Sequence, residues 1–241
     1  MDSFSNITAK ILNINGLSAF AGSKQLEQYS CLYSEVISAN KRFNLTSITE
    51  PTEFAVRHIA DSLSAAAFIP SDASLLDVGC GAGFPSLPLA IARPDIRVTS
   101  LDSTAKKTDF VSHTANVLSV GNLTTICDRA EKAAHGPLRE SFQAVISRAV
   151  ARFNVLAELC IPFLCLGGVF IAMKGDRSSE EASSASPWIG SLGGTLPQAN
   201  DFLLRGEASD LFRCILISSK VCPSPVDYPR DFSKISHHPL A

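Results

Sequence analysis

The sequence lacks an excess of either charge. Across 241 residues, 21 lysines and arginines face 23 aspartates and glutamates, which gives a formal net charge of −2 at pH 7. A chain without a basic field of its own does not attract nucleic acid over its whole surface. A polyanionic partner would therefore have to be met by a local basic patch.

The cysteines lack the spacing of a metal site or of a disulfide framework. There are seven, an odd number, and no two are spaced C-x-x-C. Cys160, Cys165 and Cys214 lie inside apolar segments. This usage indicates reduced, buried thiols in a cytosolic protein, and it supports neither bound metal nor disulfides.

Targeting and membrane-spanning segments are also missing. The N-terminus does not combine a basic region with an apolar core, so it does not read as a signal peptide. The most apolar run, Val155 to Met173, is interrupted by Glu158, Pro162 and the pair Gly167-Gly168. A buried helix, turn and strand explain this run better than a membrane span does. We therefore expect a soluble, cytoplasmic protein with no membrane partner.

What the chain does contain is an alternation of strand and helix patterns after Pro70. The hydrophobic content of 46% is enough for a full core. Short apolar runs separated by helical periods predict an α/β protein with a parallel sheet. Two last strands, separated only by residues 206–210, are too close for a crossover helix and should pair as an antiparallel hairpin at the sheet edge. The predicted strands are Ser74–Val78, Arg97–Leu101, Leu123–Cys127, Phe142–Ser147, Val169–Met173, about Thr195–Leu204 and about Arg213–Lys220.

Residues 1–70 have a different, helical character. Apolar residues recur at three and four positions between Leu26 and Ile37, and again after Pro51 at Phe54, Ile59 and Leu63. A weaker period between Ile7 and Leu17 indicates a short first helix. We predict that residues 1–70 form a helical extension packed on the core. Residues 71–241 then form a Rossmann-like domain with a proline-rich, extended tail.

The domain is organised around the turn Asp77-Val78-Gly79-Cys80-Gly81-Ala82-Gly83-Phe84-Pro85. Glycines between a strand and a helix allow positive φ and close approach of a ligand, and open α/β sheets bind nucleotides at such turns. In the dinucleotide fingerprint G-x-G-x-x-G the last position is small, but here it is Phe84. The ring obstructs a pyrophosphate, and the preceding Asp77 suits an amine-bearing ligand. S-adenosylmethionine therefore fits the turn better than NAD does.

Acidic residues end the next two strands. Asp102 follows strand two, where a carboxylate can accept both ribose hydroxyls of either cofactor; alternatively, it caps the following helix. The segment 128–131 follows strand three and is placed to flank an adenine.

An ordered set of motifs resembles the RsmG (GidB) family of methyltransferases, which methylate guanine N7 in small-subunit ribosomal RNA. The resemblance extends from about Tyr29 to Leu240. The motifs that carry it are Asn44-Leu45-Thr46, His58-Ile59-Ala60-Asp61-Ser62-Leu63, the glycine turn Asp77–Pro85, Leu101-Asp102-Ser103 with Lys106-Lys107, Arg129-Ala130-Glu131, Ser147-Arg148-Ala149-Val150, Met173-Lys174-Gly175 and Tyr228-Pro229-Arg230.

The resemblance implies a class I S-adenosylmethionine-dependent methyltransferase fold. This is a Rossmann-like, mostly parallel sheet with a C-terminal antiparallel hairpin, preceded by N-terminal helices. Two positions depart from the family pattern: Ser86 stands where a glycine is usual, and Gln143 where an aspartate is usual. The residues implied to bind the cofactor are Gly79, Gly81, Gly83, Phe84, Asp102, Ala130, Glu131 and Arg148.

The implied substrate is a guanine in the 530 loop of 16S rRNA, free or within the 30S subunit or an assembly intermediate. Guanine N7 has a free lone pair, so it attacks the sulfonium methyl without losing a proton and needs no general base. Positioning then supplies most of the rate enhancement, and Arg148 and Lys174 are the candidates for it. We expect the enzyme to act as a monomer.

The N7 edge lies in the deep, narrow groove of A-form RNA, so the target is expected in a loop. Basic residues near strand ends or in the tail are candidates for RNA binding: Lys106, Lys107, Arg129, Arg152 and Arg230. The alternative is ordinary solvated surface charge, which fits Lys107 or Arg152 singly as well as RNA binding does. The sequence alone leaves two other functions open. A non-catalytic RNA-binding protein with this fold is disfavoured by the intact glycine turn, and an NAD-dependent oxidoreductase by Phe84 and by the lack of a catalytic domain.

Overall fold

The computed structural model describes residues 3–148, 151–175, 178–185 and 188–240. The helices are α1 (Ser3–Ile14), α2 (Ser23–Asn40), α3 (Pro51–Phe54), α4 (Asp61–Leu63), α5 (Ser86–Ala92), α6 (Ala105–Val117), α7 (Ala130–Ala133), α8 (Phe153–Cys160), α9 (Ser178–Ser183) and α10 (Phe232–His237). The strands are β1 (Ser74–Val78), β2 (Arg97–Asp102), β3 (Leu123–Cys127), β4 (Phe142–Arg148), β5 (Leu164–Lys174), β6 (Gln198–Leu204) and β7 (Leu211–Ser219).

The seven strands form one sheet in the order β3-β2-β1-β4-β5-β7-β6. The first five are parallel, while β7 runs antiparallel to both β5 and β6. This confirms the predicted parallel sheet that closes with an antiparallel hairpin. Since the chain reverses its strand order between β1 and β4, a crevice opens there at the carboxyl ends of the strands.

Alternate strand residues supply two cores, one on each face of the sheet. Leu75 and Ile171 belong to the face covered by α1, α2, α5 and α6. Leu76 and Phe170 belong to the face covered by α8 and α10. The period of two in side-chain direction explains why consecutive apolar residues serve opposite cores. The N-terminal helices therefore share their core with the sheet.

The helical stretch after Pro51 is not a regular α-helix. Between α3 and α4, the residues Ala55–Ala60 form a π-helical segment, and this segment carries Arg57 and His58. Single π-turns of this kind are frequent at functional sites. The apolar period predicted the helix but not this widening.

Two predictions about the second half of the chain were wrong. Gly167-Gly168 was expected to be a turn before the fifth strand, but β5 begins at Leu164 and runs through both glycines with a shifted register. Gly167 has φ +79, which accounts for the irregularity without a turn. The tail was expected to be extended, but it contains α10, whose Ile235 is fully buried in the second core.

The two departures from the family pattern have local explanations. Gln143 accepts hydrogen bonds through Oε1 from the backbone N of Ser74 (2.7 Å) and from its hydroxyl (2.8 Å), so it retains a polar contact. Ser86 is fully buried at the start of α5, beside Asp77. None of the helices in the described ranges is long and apolar enough to span a membrane.

Candidate active site

The glycine turn is held against the neighbouring strand by backbone hydrogen bonds. The amides of Gly79 and Cys80 both donate to Leu101 O, at 2.8 and 3.1 Å. Gly79, Gly81 and Gly83 all have positive φ, of 77°, 56° and 87°. Other side chains adopt such values at a cost, which explains why the sequence places glycine at all three positions.

Gly79 and Gly83 have different surroundings. Gly79 lines an open cleft of about 440 Å³ at the carboxyl ends of β1, β2 and β3. Gly83 faces inward, because a Cβ there would lie 2.4 Å from Leu87 Cδ1. Gly79 is thus placed for a ligand, and Gly83 for close packing of α5.

Asp102 connects this turn to the cleft. Its Oδ2 accepts a hydrogen bond from Gly81 N at 3.1 Å, and its Oδ1 accepts one from Thr104 N at 2.9 Å. Lys107 Nζ lies 3.7 Å from Oδ2. The carboxylate therefore braces the turn and the start of α6 while it also lines the cleft.

The remaining cleft wall comes from segments far apart in the sequence. Arg129, Ala130 and Glu131 line it after β3, with Arg129 Nη1 3.8 Å from Glu131 Oε1. Arg148, Leu159 and Phe232 line it from β4, α8 and α10. Of the predicted cofactor residues, the cleft brings together Gly79, Asp102, Ala130, Glu131 and Arg148.

Phe84 does not line this cleft. Its ring stacks on His58 with centroids 4.3 Å apart, and it meets Phe54 edge-on. The side chain is buried beneath the π-helical segment. Its cofactor contact stays a prediction; the structure gives Phe84 a part in fixing the N-terminal helices over the turn.

Arg148 binds the N-terminal helical region directly and is linked to strand β7 through Asp61. Its Nη1 donates to Arg57 O at 2.8 Å and to Asp61 Oδ2 at 3.0 Å. Asp61 Oδ1 in turn accepts from Arg213 Nε at 2.8 Å. One carboxylate, 7% exposed, thus orients two guanidinium groups.

His58 completes the support of Arg148. Its Nδ1 lies 3.4 Å from Arg148 Nη2, and its Nε2 lies 2.9 Å from Thr46 Oγ1. Burial, aided by the charge of Arg148, lowers the pKa of His58 to about 3. The ring is therefore neutral at physiological pH.

A second, smaller cavity of about 70 Å³ adjoins Arg148 on the side away from β3. It is lined by Asp61, Ser64, Arg148, Met173, Lys174, Phe202, Arg213, Cys214 and Ile215. Lys174, at the end of β5, donates from Nζ to Ala151 O at 2.9 Å. Both predicted positioning residues, Arg148 and Lys174, are thus brought to one cavity.

The predicted RNA-binding residues do not share one environment. Lys107 and Arg129 lie at the cleft rim, and Lys106 borders a separate groove with Arg42 and Phe43. Arg152 is exposed just before α8. Arg230 instead binds the fully buried carboxylate of Glu158, so its guanidinium has a partner inside the fold. Ala149 and Val150, the last two residues of the motif that begins at Ser147, lie outside the described residues.

Sequence reasoning missed two residues that the structure brings to these cavities. Arg213 was expected only as the start of the last strand, and Phe232 only as part of the tail. Arg213 and Asp61 are 152 positions apart, and no local pattern signals their contact.

The sheet order is that of the class I S-adenosylmethionine-dependent methyltransferase fold. Solved structures agree on the fold. A SAM-dependent O-methyltransferase from Thermotoga maritima matches with a TM-score of 0.53 at 14% identity, covering 80% of this chain and 72% of that one. M. jannaschii TYW2 in complex with AdoMet matches with a TM-score of 0.52 at 14% identity, covering 68% and 76%.

Sequence comparisons identify the family. The family model described as rRNA small subunit methyltransferase G matches residues 24–195. Proteins named Ribosomal RNA small subunit methyltransferase G are 40% identical in Oceanobacillus iheyensis, over 90% of this chain and 92% of the relative, and 41% identical in Bacillus cytotoxicus, over 86% and 87%. The chain belongs to the rRNA small subunit methyltransferase G family. The predicted family, fold class, methyltransferase activity on ribosomal RNA and cofactor are thereby confirmed.

Proposed function

We propose that this protein methylates N7 of a guanine in the 530 loop of 16S rRNA, as a monomer in the cytoplasm. The observation that carries the proposal is the pair of cavities that share Arg148. One is the cofactor cleft, and the other is lined by three cationic side chains, Arg148, Lys174 and Arg213. A cationic cavity next to the cofactor suits a nucleotide of an anionic polymer.

The residues of the cleft fit S-adenosylmethionine. Gly79 brings bare backbone to the cleft, Asp102 offers carboxylate oxygens for ribose hydroxyls, and Leu159 offers an apolar surface for a base. When bound, the cofactor supplies an electrophilic methyl group on a sulfonium. Arg148, held by Asp61 and Arg57 O, would orient the acceptor beside that methyl.

The smaller cavity, which we assign to the acceptor nucleotide, supports a reaction without a general base. Its carboxylate, Asp61, forms ion pairs with two arginines, and the two ring nitrogens of the nearby His58 contact Arg148 and Thr46. Among the described residues that line this cavity, no other carboxylate or histidine is present. Guanine N7 matches this arrangement, because its lone pair attacks without prior deprotonation.

The experiment is in vitro methylation of 16S rRNA, free and within 30S subunits, with the methylated nucleotide mapped. N7-methylguanine is identified by borohydride reduction followed by strand cleavage with aniline, because only the cationic N7-methylated base is reduced and lost from the ribose. We expect one product, in the 530 loop. Methylation at another base, or at another guanine atom, would refute the proposal. Light scattering during gel filtration checks the monomeric state.

The proposed RNA face consists of Lys106, Lys107, Arg129 and Arg152. Replacing Lys106 or Arg129 by glutamate should weaken rRNA binding at every sequence and reduce the salt slope by about one per lost phosphate contact. Lys24→Glu is the matched control. Lys24 lies near Pro94 and Asn122, which precede β2 and β3, so it is at the amino ends of the strands whose carboxyl ends form the cleft. Equal effects at Lys24 and at Lys106 would exclude a specific face.

A further inference from the structure

Phe232, in the C-terminal helix α10, is a large apolar side chain left 43% exposed at the wall of the cofactor cleft. It lines the same cleft as Ala130, which follows β3, and Leu159, which belongs to α8. Burying an aromatic ring is ordinarily favourable, so its exposure here leaves contact area for a ligand.

The segment that carries Phe232 is firmly attached. Arg230 binds Glu158 through three hydrogen bonds: its backbone N and Nε to Oε1 at 3.0 and 2.8 Å, and Nη2 to Oε2 at 2.7 Å. Ile235, one turn after Phe232, is fully buried. Glu158 precedes Leu159 on α8, so one helix both anchors the tail and lines the cleft.

Further contacts hold the chain before and after α10. Arg139 donates to the carbonyls of Ser224, Pro225 and Tyr228, at 2.7 to 2.9 Å. Asn154 Nδ2 donates to Leu240 O at 2.8 Å. The position of Phe232 is therefore set on both sides by bonds to the methyltransferase core.

We propose that Phe232 forms one face of the adenosine subsite, so that the C-terminal segment is part of the cofactor-binding site. The adenine base is the flat, apolar part of S-adenosylmethionine, and aromatic rings stack well on bases. The methionine part carries a carboxylate and an amine, which a phenyl ring does not pair with. Ala130 and Leu159, which line the same cleft, are apolar as well and offer further surface for the base.

Calorimetric titration tests the proposal with purified full-length protein. Phe232→Ala should raise the Kd for S-adenosylmethionine by about 5- to 100-fold, the range expected for one lost base–aromatic contact. The Kd for 5′-methylthioadenosine, which lacks the methionine carboxylate and amine, should rise by a similar factor. Phe232→Tyr should keep the affinity within about twofold, because the ring is retained.

Val226→Ala is the matched control, since Val226 is an apolar residue of the same segment, 80% exposed and away from the cleft. An unchanged Kd in Phe232→Ala would overturn the proposal. So would a loss for S-adenosylmethionine that 5′-methylthioadenosine does not share, because the contact would then lie at the methionine end. These readouts use no RNA, so they are independent of which nucleotide is methylated.

Discussion

Asp102 shows how one side chain serves both the fold and the site. Its two oxygens accept hydrogen bonds from Gly81 N and Thr104 N, and the residue also lines the cleft at the carboxyl ends of β1, β2 and β3. The two readings of its sequence position, ribose acceptor and helix-start brace, are compatible in this geometry. Its brace role is observed, and its ribose contact is the part to be tested.

Asp102→Ala is expected to weaken S-adenosylmethionine binding by about 1–3 kcal/mol, because it removes acceptors for the ribose and for the turn. Asp102→Asn should lose less, since its Oδ1 still accepts from one backbone amide. Calorimetry measures both. Asp109→Ala, an exposed carboxylate of α6 outside the cleft, is the control. Parental affinity in Asp102→Ala would show that this strand end does not meet the ribose.

Asp61 is the single anion between Arg148 and Arg213. Asp61→Ala should lower the free energy of unfolding by about 3 kcal/mol, because two largely buried guanidinium groups lose their partner. Chemical denaturation measures this loss. Glu207→Ala, which breaks the exposed pair with Lys10, should cost less than about 1 kcal/mol. Equal losses in the two variants would contradict a buried ionic link.

At the scale of elements, the N-terminal helices and the C-terminal segment are joined to the site by different means. The π-helical segment Ala55–Ala60 presents Arg57 O and His58 to Arg148, and the aromatic stack on Phe84 fixes its position. The tail is held through Glu158, a fully buried carboxylate on α8. The first attachment ends on Arg148, which lines both cavities, and the second on Glu158, which is adjacent in sequence to the cleft residue Leu159.

Removing the tail's anchor should release α10 without unfolding the sheet. In Arg230→Met, Glu158 is left buried without its cation, a loss of about 3–5 kcal/mol. We expect the amides of residues 232–237 to exchange with deuterium much faster, as measured by mass spectrometry. Lys234→Met, on the exposed face of the same helix, serves as the control. Unchanged exchange in Arg230→Met would mean that α10 is held by apolar packing alone.

At the scale of the whole molecule, the sheet separates the two cores, and its strand β1 carries the buried acid Asp77. Burial raises the pKa of Asp77 to about 7, an effect that Ser86 and the charge of Arg148 partly offset. Neither of its oxygens has a hydrogen-bond partner of ordinary geometry among the described residues. Asp77 thus lies buried beneath the turn, and its contact with an amine-bearing ligand stays a prediction.

This burial makes stability depend on pH in a definite direction. Between about pH 4 and pH 7 the folded state holds the Asp77 proton that the unfolded state has released, so this residue's contribution to stability falls as pH rises. Asp77→Asn removes that dependence. The unfolding free energy of the variant minus that of the parent should therefore increase from pH 4.5 to about pH 7.5 in urea titrations. A difference that stays constant, or that decreases, would contradict a raised pKa.

The amino-acid sequence was enough to predict the succession of strands along the chain, the glycine turn and, with the family motifs, the cofactor. The strands and the turn are local features, because side chains alternate along a strand and positive φ requires glycine at Gly79. The sequence argument that Phe84 obstructs a pyrophosphate gains no support from the structure, because its ring is buried against His58 and does not line the cleft. The family motifs then identified ribosomal RNA as the substrate.

Contacts between residues far apart in the sequence became known only from the folded chain. Asp61 joins Arg148 and Arg213, Glu158 binds Arg230, and Phe232 lines the same cleft as Gly79 and Asp102. No local period encodes such contacts, because they depend on how the sheet brings together the ends of separate strands and helices. For the same reason, the tail could be predicted as proline-rich but not as a wall of the site.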